Sequence, residues 1–386
     1  MIEQITIKNF KSFKDVSLKL GPLNIFIGAN ASGKSNFFDA LRVLQGIGYG
    51  FTLPEILDGK PKSATSEVWE GIRGGSTQVP FVSEDPNTPT SFQVAGKPSR
   101  GVDSSFEFMI TFLAREGLLR DESLSVSGNI IYELHLDEWP GVRENRPSLK
   151  VVAHDPDAKY ELPHPEEAEW VAHILADVQR IDPSPAFLRA YSQAYEVKRM
   201  GEHGENFAAL IRMICSDPGT KEAYLSWLRE LRPRDVDDVG VLKGAIGEPM
   251  VMMKERGREW PAPTLSDGTL RFAAIAAAFF QPDMPGILTI EEIEDGIHAS
   301  RLRLLVELLR SRAAEGKTQV MVTTHSPIVL AWLKPEEYAT TFYCRRDEET
   351  GESRIIPLTE IPRFNEIVSK QPISDLFAEG WMETAL

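Results

Sequence analysis

A mixed α/β fold, split by a long insert, is the class this sequence predicts, and three observations carry it. An apolar strand, Leu23-Asn24-Ile25-Phe26-Ile27, runs into a Gly-rich turn, and a helix with Phe37, Phe38, Leu41 and Leu44 on one face leaves it. Far along the chain, from about 286 to 323, apolar strand, helix and apolar strand alternate again, the pattern of parallel α/β units. Between these ends lie strictly alternating strands and amphipathic helices, which belong to a different kind of layer.

The elements follow in order. The chain opens on a strand, Met1-Ile2-Glu3-Gln4-Ile5-Thr6-Ile7, and the alternation of Val16, Leu18 and Leu20 predicts a second strand hairpinned with it. The turn after the third strand reads Gly28-Ala29-Asn30-Ala31-Ser32-Gly33-Lys34-Ser35-Asn36 and fits the phosphate-loop pattern G-x-x-x-x-G-K-[ST]. Gly28 and Gly33 let backbone N–H groups curl around a phosphate, and the helix N-terminus adds its positive dipole end. Asn30, Ser32 and Asn36 are counted with the loop, Lys34 is expected to reach the β- and γ-phosphates, and Ser35 to hold Mg²⁺. The chain is therefore expected to bind a nucleoside triphosphate.

From about 47 to 103 the periodicity fades and Gly and Pro are frequent, as in Glu84-Asp85-Pro86-Asn87-Thr88-Pro89; long loops with pieces of strand are expected. Phe106, Phe108, Ile110 and Phe112 alternate, as do Tyr132, Leu134 and Leu136, with Leu149 and Val151 following, and these predict antiparallel strands. Three apolar stripes predict core-facing helices: Trp170, Ile174 and Val178; Phe207, Leu210, Ile211 and Ile214; Tyr224, Trp227, Leu228 and Leu231. From about 248 a parallel α/β order is expected: strand 249–253, helix 268–281, strand 286–291, helix 300–314 and strand 318–323. Two closing strands, 340–345 and 354–358, and a short helical tail complete it. The expected division is 1–46 and 248–386 for the two parts of the nucleotide-binding fold, with 47–247 as a β-plus-helical insert.

The 386 residues, 42% of them hydrophobic, suffice for a large core in one or two domains. Charges interrupt every apolar run before about 18 residues, and the opening segment lacks the basic region and apolar core of a leader, so no membrane association is expected. Cys215 and Cys344 lack metal-ligand or redox spacing and read as buried thiols in a reducing cytoplasm. A net charge of −15 weighs against broad non-specific DNA binding, which needs Lys and Arg to neutralise phosphates. The candidate basic spots, Arg229, Arg232 and Arg234 and then Lys254, Arg256 and Arg258, read as solvated faces.

Four landmarks in the second half keep a fixed order. Leu265-Ser266-Asp267-Gly268-Thr269 opens a helix, and Ile287-Leu288-Thr289-Ile290-Glu291-Glu292 is an apolar strand ending in paired carboxylates. Glu294-Asp295-Gly296-Ile297-His298 follows, and Thr323-Thr324-His325-Ser326-Pro327 closes the next strand. With these landmarks the chain resembles the ABC-type ATPase heads of the SMC, RecF and OLD group, above all the standalone prokaryotic AAA-type ATPases without a nuclease domain. The resemblance covers about 1–46 and 248–335, and more weakly the tail Ile373-Ser374-Asp375-Leu376-Phe377. It implies a split P-loop ABC-type ATPase head, a mixed β-sheet with flanking helices.

The resemblance also assigns roles. Asn9-Phe10-Lys11-Ser12-Phe13 looks like the segment near the nucleotide base, which makes Lys11 and Ser12 cofactor-binding. Glu291, where the family more often has Asp, would hold the Mg²⁺ shell, and Glu292 would act on the attacking water. His325 fits the switch histidine that contacts the γ-phosphate or that water. Ser266 and Gly268 belong to a signature loop, with Asp267 where many members have Gly, which caps the γ-phosphate held by the other protomer. A homodimer with two ATP molecules sandwiched between heads is implied. The lobe-connecting glutamine has no clear counterpart; Gln78, Gln93 and Arg73 lie in plausible territory. The expected function is an Mg²⁺-dependent, ATP-hydrolysing dimeric switch in a prokaryotic antiviral defence or nucleic-acid maintenance system. It would act with an effector, a nuclease or toxin encoded nearby, because the stretch after His325 is too short for a nuclease domain. The alternative is a RecF-like ATP-dependent DNA clamp, and direct nucleic-acid contact stays open.

Overall fold

The computed structural model describes residues 1–60, 69–81, 85, 88–98, 103–136, 144–150, 165–193, 195–231 and 235–385. Along the chain run β1 (Ile2–Phe10), β2 (Phe13–Lys19), β3 (Leu23–Ile27), α1 (Lys34–Gly48), α2 (Leu53–Asp58), β4 (Thr90–Gly96), β5 (Phe106–Leu113), β6 (Leu118–Val126) and β7 (Asn129–His135). Then come α3 (Pro165–Ala176), β8 (Val178–Ile181), α4 (Phe207–Ile214), α5 (Pro218–Leu231), β9 (Val236–Lys243), β10 (Pro249–Glu255) and β11 (Arg258–Pro261). Next follow α6 (Asp267–Ala278), β12 (Ile287–Ile290), α7 (Ala299–Ala314), β13 (Gln319–Thr324), β14 (Thr341–Arg346) and β15 (Ser353–Pro357), and then short helices at Phe364–Val368, Ile373–Ala378 and Trp381–Thr384. Two compact units emerge: residues 1–178, 338–365 and 382–386 form one, and residues 179–337 and 366–381 the other.

The first unit contains an antiparallel sheet in the order β2-β1-β4-β5-β6-β7. Its registers follow from alternation: Ile5 faces Leu18 and Ile7 faces Val16, with all four buried. On β5, Phe106, Phe108, Ile110 and Phe112 point inward while Glu107 is exposed, and Phe112 stacks on Phe92 of β4 with centroids 6.0 Å apart. The same unit holds β15-β14-β3, where β14 runs parallel to β3 and antiparallel to β15. Phe26 of β3 is gripped between Phe37 of α1, at 4.5 Å, and Phe342 of β14, at 5.0 Å. This aromatic contact seats α1 on the strand that feeds it, and so fixes the turn between them.

The second unit carries β13, β12 and β8 side by side, with β12 parallel to β13 in a register that pairs Leu288 with Val320 and Ile290 with Val322. Every residue of β12 and β13 is buried, as parallel strands covered on both faces should be. A second, antiparallel sheet, β11-β10-β9, lies in this unit too. The phenol of Tyr224 on α5 donates to the carbonyl of Ala273 on α6 at 2.9 Å, pinning the two helices together. No described helix is long and apolar enough to cross a membrane.

Several expectations need correction. The stretch 47–103 contains a helix as well as strand: α2 is closed by a capping box in which Thr52 and Glu55 satisfy each other's backbone N–H, and β4 is a full sheet member. Leu149 sits in a helical turn at 148–150 rather than a strand, and Val151 lies outside the described residues. Val178 does not share the α3 stripe, because α3 ends at Ala176 and Val178 starts β8. On α5 the buried face takes Leu225, while Trp227 is only half-buried. Strand 249–253 belongs to the antiparallel β11-β10-β9 sheet and not to the parallel order. Among the basic spots, Arg229 pairs with Glu222 at 2.5 Å and Arg256 with Asp235 at 2.7 Å, and Arg232 and Arg234 lie outside the described residues.

Both cysteines are held as thiols. Burial pushes Cys344 up to about 12 and Cys215 to about 11. Since only the thiolate reacts, a thiol titration of the native protein at neutral pH should register neither within minutes, and both after denaturation. Prompt native labelling of Cys344 would contradict the packing of β14 on β3.

Candidate nucleotide site

The phosphate loop is built by the first unit. β3 is buried at all five positions, so the chain leaves the core only at Gly28. A Cβ on Gly28 would lie 2.1 Å from the carbonyl oxygen of Cys344 on β14, a distance that excludes any other residue. The loop then curls through left-handed backbone at Ala31 (φ 63°) and Gly33 (φ 106°), and Gly33 caps α1. Ser32 is 3% exposed, and its hydroxyl has no hydrogen-bond partner among the described residues. The first turn of α1 carries no acidic residue. Lys34 is buried, and its ammonium bends back over the loop to donate to the carbonyls of Gly28 at 2.6 Å and Ala29 at 2.8 Å. An orphaned hydroxyl, a helix N-terminus and a cation resting on main-chain carbonyls together fit an anion held at this loop. Asn30 is exposed at the loop's crest, and Ser35 and Asn36 are half-buried in the first helical turn.

The other sequence-predicted contacts of this unit gather beside the loop. Asn36 donates to the Ser12 hydroxyl at 2.7 Å. Asn9 and Lys11 both have left-handed backbone, with φ of 51° and 53°. The Asn9 side chain holds that turn by donating to the Thr88 carbonyl at 2.6 Å and accepting from the Phe81 N–H at 2.8 Å. The Lys11 ammonium meets the Asp39 carboxylate at 2.5 Å, and Arg73 reaches the same carboxylate at 3.1 Å and the Ser35 carbonyl at 2.6 Å. Burial lowers the Lys11 pKa, with Asp39 acting against it. A cavity of about 870 Å³ opens here, lined by Lys11, Ser12, Asn36, Arg73, Arg115 and Arg346 among others. Gln78 also lines it, whereas Gln93 lies on β4 and gives its amide to Glu107. Asp39, Arg115 and Arg346 escaped the sequence reading; a lone carboxylate among the apolar positions of α1 was the available signal for Asp39.

The second unit assembles the acidic landmarks. Glu291 follows the last residue of β12 and its Oε1 pairs with Arg180 of β8 at 3.0 Å. Glu292 adopts left-handed backbone, with φ 46°, and its N–H donates to the Thr323 hydroxyl of β13 at 2.9 Å. Burial, then the neighbouring Asp295 charge, raise the Glu292 pKa, with His325 pulling the other way. His325 is fastened by Glu294: its N–H donates to Oε1 at 2.6 Å, and its Nδ1 lies 3.1 Å from the same oxygen. Glu294 was quoted in the sequence without a role; its place here is to hold the histidine.

Ser266 caps α6 by accepting from the Thr269 N–H at 3.3 Å. A Cβ on Gly268 would meet the Gly296 carbonyl at 2.4 Å, so the helix start is pressed against the Glu294–His298 turn. Both residues line a second cavity, of about 540 Å³, together with Gly296, His298, Arg301 and Arg189. Asp267, the departure from Gly, is ion-paired with Arg189, which also donates to the Leu265 carbonyl at 2.9 Å. His298 accepts from the Ser300 N–H at the start of α7. Among the described residues, no group of three or more His, Cys, Asp or Glu could hold a metal ion.

A strand–loop–helix phosphate cradle, with an acidic strand end and a capped Ser-Asp-Gly helix start, defines a P-loop ATPase fold of the ABC type. The comparisons agree. Residues 1–50 match the family described as "AAA ATPase domain", and residues 252–331 that described as "AAA domain, putative AbiEii toxin, Type IV TA system". The chain is 22% identical over 393 residues to an ATP/GTP phosphatase of Helicobacter pylori, covering 93% of this chain and 95% of that protein. It is 22% identical over 351 residues to an OLD nuclease of Thermus scotoductus, of whose length it spans 59%. A 44-residue stretch is 46% identical to Lactococcus lactis RecF, 12% of that protein. The fold is that of SMC heads: a Pyrococcus furiosus Smc head with an extended coiled coil, bound to the C-terminal domain of ScpA, superposes with a TM-score of 0.53. That match is at 13% identity over 96% of this chain and 99% of the other. The chain thus carries two AAA-type ATPase segments on an ABC-type head fold, and it is similar to proteins of the SMC, OLD and RecF group.

The Gly28 approach is testable. Gly28→Ala should lose about 1–3 kcal/mol of unfolding free energy in urea, the usual cost of overpacking, and lose nucleotide binding with it. A variant of unchanged stability would show that β14 does not press on the loop.

Proposed function

We propose that the protein is an ATP-binding, ATP-hydrolysing switch that works as a dimer of heads and acts through a partner effector. The observation that carries this reading is the phosphate loop, where a buried Ser32 hydroxyl with no partner among the described residues, an acid-free helix start and a folded-back Lys34 together suit an anion. Lys34 exchanges the Gly28 and Ala29 carbonyls for β- and γ-phosphate oxygens. Gly28, Asn30, Ser32, Gly33 and Asn36 form the cradle, and Lys11 and Ser12 flank the nucleoside end. Ser35 and Glu291 are the residues that would hold Mg²⁺, which neutralises charge on the phosphates when bound. With Arg180 already on one Glu291 oxygen, the contact from Glu291 is best made through water.

Glu292 takes the proton of the attacking water, and its raised pKa suits a base. His325, held by Glu294, contacts the γ-phosphate or that water. Ser266, Gly268 and the first amides of α6 cap the γ-phosphate of the second protomer, a helix-dipole contact on a helix of twelve residues. Hydrolysis then opens the dimer and releases the effector's trigger. A nuclease or toxin as effector, and antiviral defence or nucleic-acid maintenance as setting, are the classes we infer from the similarity to the OLD nuclease and to the AbiEii-type family. A RecF-like clamp is the second reading, favoured by the short RecF match. The −15 charge and the carboxylates paired with Arg229 and Arg256 weigh against it.

Lys34→Ala should abolish ATP binding by equilibrium dialysis; retained affinity would remove the loop from the site. Glu292→Gln should bind ATP, accumulate as dimer in light scattering and turn over at most at a residual rate, whereas normal turnover would place the base elsewhere. In the wild type, kcat/KM should fall as pH drops through the Glu292 pKa of the free protein. Because that pKa is raised, the acid limb should lie above the ordinary carboxylate range, and a limb at the ordinary value would contradict the assignment. ATPase assays with and without linear duplex DNA decide between the readings, since strong stimulation favours the clamp.

A further inference from the structure

Arg271 lies on α6 and is 7% exposed, an unusual place for a cation on a helix whose other described side chains from Leu270 to Ala278 are buried and apolar. Its guanidinium is forked between two sets of acceptors. Nη1 donates to the Pro183 carbonyl at 3.0 Å and to Asp182 Oδ1 at 3.3 Å. Nη2 donates to the carbonyls of Glu291 at 3.2 Å and Glu292 at 3.3 Å. Asp182 is half-exposed, so one screened carboxylate and three carbonyl dipoles offset the burial of a full charge. Such an arrangement is a poor source of stability compared with an apolar side chain of the same volume.

Its chemical content lies in what it grips. Glu292 has a left-handed backbone, with φ 46°, that is strained for a non-glycine residue, so it must be held. Thr323 of β13 holds its N–H, and its carbonyl is held by Arg271 and by the Asp295 N–H at 2.9 Å. The carboxylate's aim therefore depends on α6, the helix whose first turn carries Ser266 and Gly268. A rigid helix transmits a shift of its N-terminus to a residue little more than one turn away.

We propose that Arg271 is a positioning residue that sets the backbone of Glu292 from the signature helix, so that what binds at Ser266 is felt at Glu292. This rests on the reading of Glu292 as the base. Lysine keeps the charge but, with its donors on a single nitrogen, cannot span both acceptor sets.

The test compares Arg271→Lys, Ser266→Ala, their double variant and Glu292→Gln by melting temperature, equilibrium ATP binding and steady-state kinetics. Arg271→Lys should melt and bind ATP as the wild type does, with KM within about twofold and kcat lower by about tenfold or more. The double variant should be no slower than the slower single variant, the mark of coupled residues. Wild-type kcat in Arg271→Lys, or a loss of folding or ATP binding that accompanies the fall in kcat, overturns the proposal. So do fold-losses that simply multiply in the double variant. Glu292→Gln separates the two failures: if it is inactive while Arg271→Lys is fully active, only this proposal falls. An active Glu292→Gln removes the base assignment, and this proposal with it.

Discussion

The first unit depends on how closely β14 approaches the end of β3. The phosphate loop must leave the core at a point where the carbonyl of Cys344 occupies the space of a Cβ, so the loop's first residue is glycine by exclusion. The approach itself is set by the parallel pairing of β14 with β3 and by the Phe37–Phe26–Phe342 stack. A strand from the far end of the chain therefore shapes a loop near its beginning.

Behind the loop the same unit solves an electrostatic problem. Asp39 is a buried carboxylate on α1, and it draws Lys11 from the β1–β2 turn and Arg73 from the segment after α2. Three separate pieces of chain are thereby held around the first turn of α1. Arg73 adds a donor to the Ser35 carbonyl, so the residue expected at the metal has its backbone fixed from outside the loop. The cavity beside it takes Arg115 and Arg346 as well, together with Glu348 and Glu349. Cations outnumber carboxylates in that lining even on a chain of net charge −15, and it is the local balance, not that of the whole molecule, that a polyphosphate meets.

How far the sequence announced all this varies with the range of the interactions. β3, the loop and α1 were legible because strand, turn and helix are contiguous and each has its own period. β12, α7 and β13 were legible for the same reason. β6 was hidden because it places Glu122 in the core, where the carboxylate accepts from Tyr132 at 2.8 Å and from the backbone of Ser148 at 2.6 Å and Leu149 at 3.0 Å; alternation cannot foresee a satisfied buried acid. β9 was diluted by Asp237, Asp238 and Gly240, and its hairpin with β10 made a strand look parallel that is antiparallel. The partners of the candidate residues were out of reach altogether. Arg180, Arg189 and Arg271 sit on or beside elements far in sequence from Glu291, Asp267 and Glu292, and only the fold brings them to their acceptors.

Two departures from local rules coincide in the second unit, and their coincidence is informative. A left-handed glutamate and a buried arginine each cost stability, yet one arm of the arginine, Nη2, is given to the glutamate's own carbonyl and that of its neighbour. Had the strain at Glu292 been an accident of the turn, an Asn or Gly there would relieve it without recruiting a charge into the core. Had Arg271 been a packing residue, its guanidinium would not fork across the end of β12. Strain kept in place by a dedicated donor is the signature of a group whose direction matters more than its stability. On the proposed reading, the demand for precision falls at the carboxylate that follows β12, and on the helix that carries the Ser-Asp-Gly loop.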